Sequence, residues 1–491
     1  MILKKLIYGL FLISINAFSQ PQISIDNVSF HIEYLASDSM RGRYPGTHED
    51  EEAAKYIANQ FKASGLKLLA DNGYQHFDIT TDLFYEKNNT LSIKKINVEL
   101  FFDYIPAAFS ANDSLTSQVV FVGYGIDDEY SGSTWNDYEN ISAKNKLLII
   151  IEGSPRSSAT NLDVNISIYD KIEIAKKKEC AGILFVSGKE QNPIDKLPPI
   201  YILPGTHQEK IPIVYITRNI ADKLLRKNKE TIEHLEKKIN TENKAHSFET
   251  MSNLSLVTNI RYIKKSTHNV VGLLESTDSI MKKEYIVVGA HYDHLGIGGI
   301  LSGSRMPDTI AVHNGADDNA SGVAGIIELA KFLNQIKDTL RRSIVFIAFS
   351  GEEEGLIGSK YFITNPLIPK ENIKSMLNFD MIGRFDEENK SFVLGGAKTA
   401  VEYEFLLKGI MTNTPINVQL IPEGTAPSDH VYFYLDKIPV LFFHTGLHND
   451  YHTPFDDASK INYAGIEKIL DFASEIIINL SRTEKIRCST Y

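Results

Sequence analysis

Tyr285-Ile286-Val287-Val288-Gly289-Ala290-His291 is a strand written for burial on both faces, with a histidine at its carboxyl end. A run apolar at nearly every position suits a parallel sheet covered by helices on each side. The pattern recurs along the chain. Strand-like runs at Asn269–Leu274, Ser343–Phe349, Ser375–Phe379 and Pro439–Phe443 alternate with helical stretches at Ser321–Ile336, Gly355–Thr364, Ala400–Met411 and Gly465–Leu480. This alternation predicts an α/β fold, a doubly wound and mainly parallel sheet with helices on both faces.

In such a sheet, ligands bind beyond the carboxyl ends of the strands. His291 stands at one such end. Ile344–Phe349 leads through Ser350 and Gly351 to Glu352 and Glu353. Met376–Phe379 runs into Asp380, and Val440–Phe443 leads toward His444 and then His452. Asp318 lies in the loop Asn314–Gly322 that opens a helix. Two imidazoles and three carboxylates suit two divalent ions, and zinc is the expected metal. Such ions polarise a carbonyl and sharpen a water into a nucleophile, so the pattern predicts a metallohydrolase. Glu352, not needed as a ligand, is free to carry a proton from that water to a leaving amine.

Each group alone has an ordinary alternative. A histidine at a strand end commonly just makes hydrogen bonds. Asp317 and Asp318 could cap the next helix. Glu352–Glu353–Glu354 could be an acidic helix start favoured by the dipole. Asp380 is harder to dismiss, because an unpaired carboxylate behind an apolar strand is costly. Joint occurrence in one order, over about 160 residues, favours the metal reading.

The same residues resemble a known family. Val287-Val288-Gly289-Ala290-His291-Tyr292-Asp293 is similar to the first signature of zinc aminopeptidases of the bacterial leucyl aminopeptidase and glutamate carboxypeptidase family. Gly315–Gly322, Ser350–Leu356, Asn378–Met381 and Tyr451–Thr453 resemble the others, in order. The resemblance implies that Asp318 bridges two Zn2+ ions per chain. His291 and Asp380 would complete one ion, and Glu353 and His452 the other. It implies Glu352 as general base and acid, and Asp293 as the carboxylate that orients His291. Asp317 would shape the bridging turn. Ser428-Asp429-His430 resembles a feature near the substrate, or is a capped turn. Tyr451 is a candidate oxyanion donor. His294, His313 and His444 are not expected among the ligands.

The implied activity is that of an aminopeptidase acting on peptides with a free N-terminus. A carboxypeptidase or dipeptidase on the same scaffold would need a cation to read a terminal carboxylate, and Arg305, Arg341, Arg342 and Arg384 are the local candidates. A non-catalytic binding protein would be expected to have lost ligands, which this chain has not. A glutaminyl cyclase would resemble a one-metal site.

The rest of the chain sets the context. Its 491 residues, with net charge −11 and 43% hydrophobic residues, predict more than one domain and a poor fit to nucleic acid or anionic membranes. Lys4 and Lys5 precede an apolar stretch, Leu6–Phe18, with small residues at Ala17 and Ser19. This predicts a signal peptide over 1–19 and an exported, periplasmic or secreted protein without a membrane anchor. Residues 27–68 read as helical around a polar turn at Gly42–Gly46. The metal domain is expected over 20–106 and 251–485. An inserted, smaller, β-rich domain is expected over 107–250, ending in a solvated helix and linker at 226–247. Phe121–Gly125, Lys146 with its strand, and Ala181–Leu184 resemble a protease-associated module. Cys180 and Cys488 show no framework spacing, and Cys180 reads as a buried thiol.

Overall fold

The computed structural model describes residues 22–489, except 94–95, 97, 128–134, 156–165, 200–207 and 300–301. The expected signal peptide, 1–19, lies outside the described residues. Two compact units divide the chain: residues 1–77 with 267–491, and residues 78–266. The inserted unit is therefore longer at both ends than 107–250. Its ends fall within two long strands, Tyr74–Tyr85 and Ile260–Leu274, which continue with no turn residues to mark a boundary.

In the first unit we label α1 (Ile25–Leu35), α2 (His48–Ala63), β1 (Ile260–Leu274), β2 (Tyr285–His291), α3 (Gly322–Gln335), β3 (Ser343–Phe349), α4 (Ile357–Thr364), β4 (Ile373–Phe379), β5 (Ser391–Gly395), α5 (Tyr403–Thr412), β6 (Asn417–Leu420), α6 (His430–Leu435), β7 (Val440–His444) and α7 (Tyr463–Arg482). The sheet runs β1-β3-β2-β4-β7-β5-β6, with Lys67–Leu68 and Tyr74–Tyr85 also paired to β1. Its centre, β3-β2-β4-β7, is parallel throughout. β1 joins β3, and β5 joins β7, in antiparallel fashion. The sheet is thus α/β and mixed, with the expected parallel order confined to its middle. β5 and β6 escape sequence reading because they are short, and β6 buries only Val418.

Alternation along the central strands explains the two covered faces. Ile286, Val288, Ala290, Ile344, Phe346 and Ala348 pack with residues of α1, α2, α3 and α7. Val287, Val345, Ile347 and Phe349 pack on the other side with Phe362 of α4 and Phe433 of α6. Both sets are needed because parallel strands leave no solvated face. The register sets His291 against Phe349 and Phe379 against Phe443, so the carboxyl ends of the four central strands form one edge.

The inserted unit is a seven-stranded sheet in which Asp113–Phe121, Leu147–Ile151, Gly182–Val186 and Ile213–Ile216 are parallel neighbours. It is α/β rather than β-rich. Leu147, Ile149 and Ile151 join one apolar cluster, while Leu148 and Ile150 join another, so both faces need cover. Helices Ile168–Lys177, Arg218–Leu225 and Ile232–Glu242 belong to this unit. The last was expected to be solvated, but it buries Ile232, Leu235 and Ile239 at helical spacing. Cys180 and Cys488 are free thiols, and burial pushes Cys180 up to about 12, leaving it inert. Among the described residues no helix is long and apolar enough to cross a membrane.

Phe346 is fully buried at the centre of the larger face. Phe346→Ala should cost about 3–5 kcal/mol by chemical denaturation. A loss under about 1 kcal/mol would show that this face is not close-packed.

Candidate metal centre

β2 delivers His291 to the carboxyl edge, and the loop after it carries Asp293 and His294. The loop entering α3 carries Asp318. The turn after β3 presents Glu352 and Glu353, β4 ends at Asp380, and the segment beyond β7 brings His452. Gly315 lets the α3 entry loop fold so tightly. Its φ is +56°, and a Cβ there would lie 2.2 Å from the Asp318 carbonyl oxygen and 2.6 Å from His294.

All five expected ligands meet. His291 Nε2 lies 3.3 Å from Asp318 Oδ1 and 3.4 Å from Asp380 Oδ1. His452 Nε2 lies 3.2 Å from Asp318 Oδ2 and 3.1 Å from Glu353 Oε2. Asp318 therefore turns one oxygen to each half of the cluster. Donors held about 2.0–2.2 Å from a tetrahedral ion stand roughly 3.3–3.6 Å apart. The observed separations fit that edge, so the residues suit two borderline-to-hard cations.

The imidazoles are turned for the same purpose. His291 Nδ1 is 3.2 Å from the Asp293 carbonyl oxygen, and His452 Nδ1 is 3.1 Å from that of Gly303. A proton on each Nδ1 satisfies the carbonyl and leaves the Nε2 lone pair facing carboxylate oxygens. Such a contact is repulsive unless positive charge lies between. Taken with protein groups alone, the cluster draws that charge onto histidine. Burial opposes it, yet the Glu353 charge and bonds to Asp318 and Glu353 push His452 up to about 11. Burial and the Asp318 charge work against Glu353, yet His452 and His294 hold it at about 2.

His294 was set aside in the sequence, but the fold brings it in. Its Nδ1 sits 2.7 Å from Glu353 Oε1 and 3.8 Å from Asp318 Oδ2. A 2.7 Å separation is too short for two donors sharing an ion and is normal for a charge-assisted hydrogen bond. His294 thus holds one oxygen of Glu353 while the other faces His452. Ser428 acts likewise on Asp380, donating to Oδ2 at 2.8 Å, and itself accepts from Asn378 at 2.7 Å.

Asp293 holds the His291 imidazole through its backbone carbonyl, and its side chain does something else. Its carboxylate is 3.8 Å from His291 Nδ1, beyond hydrogen bonding, and accepts the backbone N–H groups of Glu352 and Glu353 at 3.2 and 3.3 Å. It braces the turn that carries both glutamates. Glu352 has no hydrogen bond to its carboxylate among the described residues. Burial first, then the charges of Glu353, Asp380 and the buried Asp429, raise it well above the usual carboxyl range, with His291 opposing. Tyr451 stacks on the His452 ring at 3.8 Å and keeps its proton, raised by burial and by Asp318.

The turn at Asp317–Asp318 is anchored by a residue that sequence reading missed. Asp456 Oδ2 accepts both of their N–H groups, at 2.9 and 3.0 Å, and its carbonyl accepts that of Ala316. Asp317 itself accepts from Gly383 N–H at 2.6 Å and faces His448 at 3.2 Å, away from the ligand cluster. Nothing local in Phe455-Asp456-Asp457 marks this contact, which exists only once β7 and its loop have closed.

Residues 269–477 match the model of peptidase family M28. The match spans 209 of the 491 residues, the segment that carries all five expected ligands. It is similar to aminopeptidase YwaD of Bacillus subtilis, with 22% identity over 468 residues, 91% of this chain and 83% of that one. It is 32% identical over 142 residues to leupeptin-inactivating enzyme 1 of Streptomyces exfoliatus, which is 29% of this chain and 31% of that one. Its fold is similar to that of an aminopeptidase from Aneurinibacillus sp. strain AM-1, with TM-score 0.51, 20% identity and 95% of each chain covered. The zinc aminopeptidase BSAP of Bacillus subtilis gives TM-score 0.51 at 19% identity, over 94% of this chain and 96% of that one.

Beneath the site, Asp50 of α2 accepts from Thr267 Oγ1 at 2.7 Å, Gly46 N–H at 2.9 Å and Ser350 Oγ at 3.2 Å. Burial raises its pKa from 3.8 to about 6. Between those values the native chain binds more protons than the unfolded one, so this group's contribution to stability falls as pH rises. Asp50→Asn should flatten the loss of stability from pH 3.8 to about 6 in denaturation of the metal-free chain. An unchanged slope would contradict the assignment.

Proposed function

We propose that this metallopeptidase is an exported aminopeptidase that removes N-terminal residues from peptides with two zinc ions. The observation that carries the reading is the double seat around Asp318, with three carboxylates and two imidazoles at cation-ligand spacing and Glu352 beside them. His291, Asp318 and Asp380 would hold one ion, and Asp318, Glu353 and His452 the other. Bound ions would polarise the scissile carbonyl and acidify a water. Glu352, whose carboxylate accepts no hydrogen bond among the described residues, would take a proton there and return it to the leaving amine. Asp293, His294 and Ser428 would keep Glu352, Glu353 and Asp380 in place.

The arginines favour an amine-reading site over a carboxylate-reading one. Arg341 pairs with Asp278 at 3.0 Å and Arg342 with Glu284 at 2.7 Å. Arg384 is taken up by Asp450 at 3.2 Å and Asp456 at 3.1 Å. Arg305 remains exposed, with Nη1 3.4 Å from the His448 carbonyl oxygen. The names of the relatives, among them leucine aminopeptidase 2 of Trichophyton rubrum, agree with this reading. Export rests on the segment 1–19. The inserted unit is proposed as a protease-associated-like module that shapes substrate access or protein contact, a reading supported by the resemblance carried by Phe121–Gly125, Lys146 with its strand, and Ala181–Leu184.

Chromogenic peptides with free N- or C-termini separate the two exopeptidase readings. Cleavage of the former alone, abolished by a chelator and restored by zinc, is expected. Cleavage from the C-terminus would overturn the proposal. Glu352→Gln should keep both metals and lose at least about 100-fold in turnover, the usual scale for a proton carrier. Near-normal turnover would remove Glu352 from that role. Asp318→Ala should lose metal as well as activity, by elemental analysis.

A further inference from the structure

Arg43 is fully buried, yet no carboxylate lies within ion-pair distance of it among the described residues. Its guanidinium is spent on backbone carbonyls instead. Nε donates to Tyr292 O at 2.7 Å, Nη1 to Leu35 O and to Asn314 O at 2.8 Å, and Nη2 to Gly315 O at 3.2 Å. Four of the five N–H donors are thereby used. Tyr292 follows His291, and Gly315 opens the turn that ends at Asp318. Leu35 ends α1, whose last carbonyls favour a cation.

The chain around Arg43 is bent to make this possible. Arg41, Gly42 and Arg43 have φ of 41°, 70° and 48°, a run that L-residues adopt only at a cost. Gly42 packs so closely that a Cβ would lie 2.4 Å from Gly296 O and 2.6 Å from His313 O. A strained turn held against the loops of two ligands points to a role at the site. Burial lowers Arg43 to about 10, with Asp293 and Asp318 opposing, so it stays charged behind the acids.

We propose that Arg43 is a positioning residue of the metal centre, its planar fork fixing the spacing between the loop that carries His291 and the loop that carries Asp318. The inference rests on the metal reading above. A lysine would keep the charge but could not span four carbonyls in one plane. Methionine would remove both charge and fork.

Zinc affinity of the purified full chain, by competition with a chromophoric chelator, tests the proposal beside denaturation of the metal-free forms. Arg43→Lys is expected to weaken zinc binding by roughly 10–100-fold, the scale for groups that support ligands, and Arg43→Met by more. The metal-free Arg43→Lys chain should still unfold in one cooperative transition, its midpoint lowered by the buried hydrogen bonds it loses. Wild-type zinc affinity in a folded Arg43→Lys or Arg43→Met chain would overturn the proposal. So would failure of both variants to fold with zinc present, since Arg43 would then serve the whole fold. A wild-type chain that binds no zinc would instead sink the metal reading.

Discussion

Like charges held together are what this fold is built around. Asp318, Glu353 and Asp380 converge on two imidazoles with donor separations of 3.1–3.4 Å. Carboxylates so close and so buried repel one another and lose their hydration, a cost of several kcal/mol per ion unless cations lie among them. The central strands can impose that arrangement because they are covered on both faces and end level with one another. Groups outside the ligand set then hold it open: Asp293 under the glutamate turn, Asp456 under the aspartate turn, and Arg43 behind both loops.

Much of this was legible from sequence, for a physical reason. His291 and Asp380 follow apolar strands directly, so burial of the strand fixes where each side chain emerges. Glu352 and Glu353 lie a short turn past Phe349, and their adjacency lets one face the imidazoles while the other stands clear of them. The α/β class follows from strands without a polar face. Such features are local, and local patterning survives in a single sequence.

What was not legible depends on closure of the fold. His294 looks like one more polar residue after Asp293 until Glu353 arrives from β3. Asp456 and Ser428 act through contacts made only when β7 and the loop before α6 are in place. Asp293 was expected to steer His291, but the turn after β3 brings two backbone N–H groups closer to its carboxylate. The antiparallel edges of the sheet are short and half-exposed, so they carry little periodic signal. The boundary of the inserted unit is hidden inside long strands that continue without a turn.

X-ray diffraction from crystals of the purified chain, recorded across the zinc absorption edge, addresses the central claim most directly. Two anomalous peaks about 3.5–4 Å apart are predicted, one touching His291 and Asp380, the other Glu353 and His452, with Asp318 between them. A single peak, or two peaks remote from Asp318, would contradict the account.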